Sequence, residues 1–189
     1  MNIKRELLLF LIATVLCTCV YGQIEYGITA GFTPFGKTGI RQVSKKTDSI
    51  TSRFATTSPA YHLGIERHMD GPIDALTEIC FSKMGFVDEA NTPITNSYRF
   101  SIYRFQGVNL FYRKRVQLPI YLGFGLNYYT QLKKEKLFLD LGARARLKFY
   151  LTNRIAVFGG AYYYFGFHVN RVMERQYGVE TGIIYSYSL

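Results

Sequence analysis

The chain has 189 residues, with 15 Phe, 16 Tyr, 17 Gly and no Trp, and a formal net charge of +10. That length suits one domain, and abundant aromatics and Gly with few long helical patterns favour an all-β protein. The basic residues are scattered, in small clusters such as Lys45-Lys46, Arg113-Lys114-Arg115 and Lys133-Lys134. No basic helix stands beside stacking aromatics, which argues against a nucleic-acid partner and leaves an anionic membrane surface as the match for the charge.

Met1 to Gln23 has the layout of a secretory signal peptide. Lys4 and Arg5 form a basic start, Leu7 to Val20 is a nearly continuous apolar run of 14 residues, and Val20 and Gly22 occupy the −3 and −1 positions of a cleavage site. The run is too short for a membrane helix, which needs about 20 residues. The expected division is therefore a signal peptide over 1–22 and one β-barrel domain over 23–189. Cleavage near Gly22-Gln23 leaves 21 basic and 12 acidic residues, +9. It also removes Cys17 and Cys19. Cys80 then remains alone, so no intramolecular disulfide forms, and no Cys/His cluster has metal-ligand spacing.

Downstream, apolar residues recur at every second position, the period of a strand with one oily face. Ile24 to Thr33 is the first such stretch. Pro34 to about Ser58 is polar and is expected to be a long loop. The second strand spans about Ala60 to Met69 and ends in the turn signal Asp70-Gly71-Pro72. The third covers about Asp74 to Met84, followed by a second long loop, Gly85 to Asn96. The fourth covers about Tyr98 to Tyr112, where neither parity is cleanly apolar and the faces stay unassigned. The fifth runs from about Leu118 to Thr130, with Pro119 near its beginning. The sixth, Leu137 to Leu151, sets Leu137, Leu139, Leu141, Ala143, Ala145, Leu147, Phe149 and Leu151 against Asp140, Arg144, Arg146 and Lys148. The seventh is Ile155 to Val169, and after a polar break at Asn170 to Arg175 the eighth covers about Tyr177 to Leu189.

Eight strands with alternating short and long connections predict an eight-stranded antiparallel up-and-down transmembrane β-barrel. Closure removes the unpaired edges that hydrocarbon would penalise. An eight-stranded interior is only wide enough to be filled by side chains. The aliphatic and aromatic face is too bulky for it and is therefore expected to face lipid. The Gly-rich polar face then lines the lumen, with Glu66, Glu78, Asp140, Arg144, Arg146 and Lys148 as a lumenal charge cluster. Arg144, Arg146 and Lys148 form a basic column, for which Glu66 and Glu78 are the counter-charges. The alternative architecture is a soluble calycin-like barrel with the apolar face inside, binding a small hydrophobic ligand.

Three segments resemble the PorT-like outer-membrane β-barrel family. They are LTEICFSKMGF (Leu76 to Phe86), PIYLGFGLNYY (Pro119 to Tyr129) and the C-terminal GIIYSYSL (Gly182 to Leu189). The last is similar to the signal read by the barrel-insertion machinery, departing from its usual final Phe with Leu189. The resemblance implies a bacterial outer-membrane location and no general enzyme activity. It also implies an envelope or secretion partner for some members.

Lipid-modifying outer-membrane barrels need a nucleophile and a His oriented by a carboxylate. His62, His68, His168 and Ser82 are available with Glu66 or Glu78, but they form no local signature. The expectation is therefore a non-enzymatic protein without cofactor or metal. A pore is disfavoured by the crowded lumen. The favoured role is binding or scaffolding through the loops Pro34–Ser58 and Gly85–Asn96, whose contacts would be outer-membrane lipid, lipopolysaccharide or a protein partner.

Overall fold

The computed structural model describes residues 25–43, 50–57, 59–68, 72–87, 90, 92–112, 115–130, 137–168 and 172–188. The signal peptide, Cys17, Cys19 and the cleavage position lie outside these residues. These residues form ten strands: β1 (Glu25–Val43), β2 (Ile50–Thr57), β3 (Ala60–His68), β4 (Ile73–Val87), β5 (Pro93–Asn109), β6 (Val116–Gln117), β7 (Pro119–Tyr129), β8 (Leu137–Tyr150), β9 (Ile155–His168) and β10 (Val172–Ser188). All pairings are antiparallel between ring neighbours, and β1 pairs with β10 from Glu25↔Ser188 to Gln42↔Val172, which closes the sheet. β2 and β3 are two parts of one barrel strand, since both pair with β1 and with β4. β6 and β7 likewise share β8 as neighbour. The ring therefore has eight strands. One split falls at Pro59 and the other at Leu118, just before Pro119; a proline's missing N–H interrupts a ladder.

The two expected loops are corrected. Pro34–Ser58 is mostly strand, because β1 continues to Val43 and β2 returns from Ile50. Gly85–Asn96 is likewise the top of β4 and the start of β5. The polar break at Asn170–Arg175 also shortens, since β10 begins at Val172. The physical reason is shared. Beyond the hydrocarbon a strand needs no apolar face, so its period fades while its hydrogen bonds continue.

A register shift adds to this at Pro34. Phe32 pairs with Thr181 but Phe35 with Val179, so β1 holds one extra residue against β10. On the other side Tyr61 pairs with Phe81 but Thr57 with Met84, so the β2/β3 strand is shifted by one against β4. Between β1 and β2/β3 the register is unbroken. The upper β1–β2 ribbon has therefore slipped by one residue relative to both walls. A one-residue slip exchanges the faces. Below Pro34, Ile28 and Phe32 point out; above it Phe35, Lys37 and Arg41 do, while Ile40 and Ala55 are buried inside.

The large apolar residues form the exterior: Ile28, Leu63, Ile79, Ile102, Leu122, Leu141, Leu147 and Ile183 are all about half exposed or more. The interior is polar. A soluble ligand-binding barrel has the reverse arrangement, so the calycin-like alternative is not supported. On β5, whose faces the pattern left open, Arg99, Tyr103, Phe105 and Asn109 are inside and Phe100, Ile102 and Val108 outside. Its ambiguity came from Arg104 and Gln106, polar residues on the outer parity.

Glycine makes the interior fit. Tyr164 lies opposite Gly142, and Tyr103 opposite Gly125. In each case a Cβ on the glycine would collide with the facing tyrosine ring. The rings lie flat on the bare backbone and stack on each other, with Tyr103–Tyr164 centroids 4.5 Å apart and Tyr162–Tyr164 centroids 4.8 Å apart.

Candidate functional site: the lumenal charge network

Every second residue of β8 points inward, which places Asp140, Arg144, Arg146 and Lys148 on one interior column. Arg144 Nη1 donates to Glu78 Oε1 at 2.7 Å, and Arg146 Nη2 donates to Glu78 Oε2 at 2.6 Å. One carboxylate from the opposite wall thus holds both guanidinium groups. Arg146 Nε also donates to Glu180 Oε1 at 2.8 Å, and Arg144 Nε lies 3.5 Å from the same oxygen. Both arginines rest on aromatic faces, Arg144 4.8 Å from the Phe105 centroid and Arg146 4.4 Å from that of Phe158. Such contacts favour a cation most where water is excluded.

Lys148 forms a second group toward the end that holds Glu25 and Ser188. Its Nζ is 2.7 Å from Glu66 Oε1 and 3.6 Å from Asp74 Oδ2. Tyr121 donates its hydroxyl to Glu66, and His68 Nδ1 lies 2.9 Å from Asp74 Oδ1.

Asp140 does not join either group. It accepts from Tyr103 Oη at 2.9 Å and from Asn127. Near it Arg99 donates to Gln176, Gln176 Nε2 donates to Glu174 Oε1 at 2.5 Å, and Tyr129 donates to the same carboxylate. Above these layers Ile40, Met84, Phe86, Tyr129, Phe138 and Val172 form a buried apolar cluster across the barrel. Arg144, Arg146 and Lys148 are among the largest fully buried side chains of the protein. The lumen is filled by paired charge below and by this apolar layer above.

Glu66, Glu78, Asp140, Arg144, Arg146 and Lys148 thus all face the lumen, in three groups. The expected cluster did not include Glu180, Glu174, Arg99, Asp74 or Asn127. Glu174 and Glu180 share the parity opposite Ile183 and Tyr185 on the last strand, which was the available signal. Arg99 was hidden in the strand with unassigned faces.

The histidines have partners that explain them. His62 Nε2 is 2.6 Å from Thr33 Oγ1, and its Nδ1 is 3.1 Å from both Glu78 Oε1 and Cys80 Sγ. The donor atoms of His62, Glu78 and Cys80 lie within 4.8 Å of one another. A cation there would sit beside the two guanidinium groups already bound to Glu78, so the arrangement suits ion pairing better than metal binding. The Ser82 hydroxyl is buried without a hydrogen-bond partner among the described residues. His168 packs against Phe138, with ring centroids 5.6 Å apart. No Ser–His–carboxylate relay is assembled among the described residues.

No family model matches the chain. No curated protein matches it either. Solved structures do. The outer membrane protein OprG of Pseudomonas aeruginosa has a TM-score of 0.59 at 9% identity, over 89% of this chain and 98% of that one. Outer membrane protein AlkL, solved in lipid bilayers, has a TM-score of 0.57 at 9% identity, over 90% of this chain and 93% of that one. Neisserial surface protein A has a TM-score of 0.53 at 14% identity, over 86% of this chain and 96% of that one. The chain is similar to these proteins in architecture: its fold is that of the small eight-stranded bacterial outer-membrane β-barrel.

Proposed function

We propose that this protein is a non-enzymatic, PorT-like barrel of the bacterial outer membrane that acts by binding or scaffolding at its outer rim. The single observation that carries this reading is the filled lumen inside an apolar exterior. Such a barrel offers hydrocarbon an apolar wall and offers solutes no passage, so recognition falls to the rim. The termini of β1 and β10 and the connections after β3, β5 and β8 share one end. At the other end the strands run on past the apolar band, β1 to Val43 and β5 from Pro93; the longer projections of outer-membrane barrels are extracellular and the short ones periplasmic, so the end with the β1–β2 ribbon faces outward. Its contacts would be outer-leaflet lipid or an envelope or secretion partner.

Three measurements test the reading. Folded protein should migrate differently from boiled protein and should leave the membrane only with detergent. In planar bilayers it should show no steady conductance. Release without detergent would overturn the membrane assignment, and a stable open channel would overturn the filled lumen. Cross-linking followed by affinity capture from intact outer membranes would then identify the rim partner.

A further inference from the structure

Among the described residues, the carboxylates other than Glu25 are all buried in the lumen, at Glu66, Asp74, Glu78, Asp140, Glu174 and Glu180. The basic surplus therefore lies on the exterior. Three of these cations line one groove at the outer rim, where the Arg175 guanidinium also lies 5.8 Å from the Phe165 ring centroid. Arg175 on β10 is opposite Gly39 on β1, and Lys37 and Arg41 are two residues to either side of Gly39 on the same outward face. Diagonal neighbours across paired strands stand about 7–8 Å apart. On the other side Gly39 faces Phe54. A Cβ at Gly39 would meet only the Phe54 ring, at 3.6 Å and 3.7 Å, so the centre of the trio is a hollow. The groove here has a volume of about 580 Å³ and is walled by Lys37, Arg41, Arg175, Phe54, Met173 and Tyr177.

Directly below is a second hollow, of about 650 Å³, which shares Lys37 and Tyr177 with the first. Its walls are apolar, chiefly Phe35, Ala161, Tyr163 and Val179. The apolar exterior of β1 runs from Tyr26 to Phe35, which matches the roughly 9–11 residues a tilted strand needs to cross hydrocarbon. Lys37 is thus the first outward residue beyond the hydrocarbon, at headgroup level. Only the slip at Pro34 turns Lys37 and Arg41 outward and Ile40 inward.

We propose that this two-part groove is a binding site for the lipid A portion of lipopolysaccharide. A phosphate lies among Lys37, Arg41 and Arg175, and an acyl chain fills the slot beneath it. The inference rests on the outward orientation of the rim given above. It commits to lipid A because the trio stands at the outer-leaflet headgroups. Cations that line one groove with no carboxylate among its described walls suit an anionic partner.

The test uses affinity-tagged full-length barrel in mixed micelles with bisphosphoryl lipid A, dephosphorylated lipid A or phosphatidylglycerol, and measures lipid retained per barrel. Wild type should retain the bisphosphoryl form at least tenfold better than the dephosphorylated form, and phosphatidylglycerol at equal concentration should not displace it. The triple variant Lys37→Gln/Arg41→Gln/Arg175→Gln should lose on the order of a hundredfold in retention, about fivefold for each charge. Arg154→Gln, in a turn at the other end, should leave it unchanged. Gly39→Leu, which fills the hollow without removing charge, is the second variant and should also weaken retention. Undiminished retention by the triple variant or by Gly39→Leu, or full displacement by phosphatidylglycerol, would overturn the site. Heat-modifiable migration is recorded for every sample. A wild-type barrel that failed to fold or insert would instead count against the membrane reading itself.

Discussion

Tyr164 on β9 lies flat over Gly142 on β8, its ring occupying the space a side chain at residue 142 would need. The same ring stacks on Tyr103 and Tyr162, and its hydroxyl accepts from Arg144 Nε at 3.0 Å. The glycine therefore sets the position of an aromatic stack and, through it, of a buried cation. Gly142→Ala should destabilise the folded barrel by about 1–3 kcal/mol, the usual range for overpacking. Urea unfolding in lipid vesicles measures this, and an unchanged midpoint would show that the ring is free to move aside.

Glu78 is the shared acceptor of Arg144 and Arg146. Glu78→Gln keeps the shape but leaves two buried guanidinium groups short of charge. Breaking a buried pair from one side costs about 3–5 kcal/mol. The double change Glu78→Gln/Arg144→Met should recover much of that loss, because the remaining Arg146 keeps Glu180 as its partner. Folding yield in vesicles and unfolding midpoints would report both effects.

The two faces of β8 should respond oppositely to charge. Ala143 points outward between Leu122 and Tyr163, near the middle of its strand. Ala143→Arg should cost about 2–4 kcal/mol, as for a cation at the bilayer midplane. Ala143→Leu should be close to neutral. Equal stability of the two variants in lipid would reject the assigned exterior.

Cys80 is a free, buried thiol facing the lumen. Reactivity needs exposure and thiolate character, and Cys80 is only 5% exposed. A maleimide should leave it unlabelled in the folded barrel and label it on unfolding in urea. Rapid labelling of the folded form would contradict the filled lumen.

The slip of the β1–β2 ribbon is supported by an extra residue on each of its two sides. Deleting Pro34 alone would set the upper part of β1 out of step with β2. Deleting Pro34 and Pro59 together would restore a common step. The paired deletion should therefore destabilise less than the sum of the single deletions. A double-mutant cycle on unfolding free energies measures that coupling, and strict additivity would separate the two irregularities.

Much of this was legible in the residues. The strict alternation of Leu137 to Tyr150, and the matching patterns of β3, β4, β7 and β9, identify strands with one apolar and one polar face. The small interior of an eight-stranded ring then decides which face meets lipid. Strand parity is a local property, since each side chain is placed by its own backbone. The tertiary structure decided what parity cannot. Which glutamate holds which arginine depends on closure, which brings β4 and β10 across the lumen to β8. The outward turn of Lys37 and Arg41 depends on a register shift at Pro34, visible only once β1 is paired with its neighbours. A slip of one residue leaves composition and local pattern intact and reverses every face beyond it.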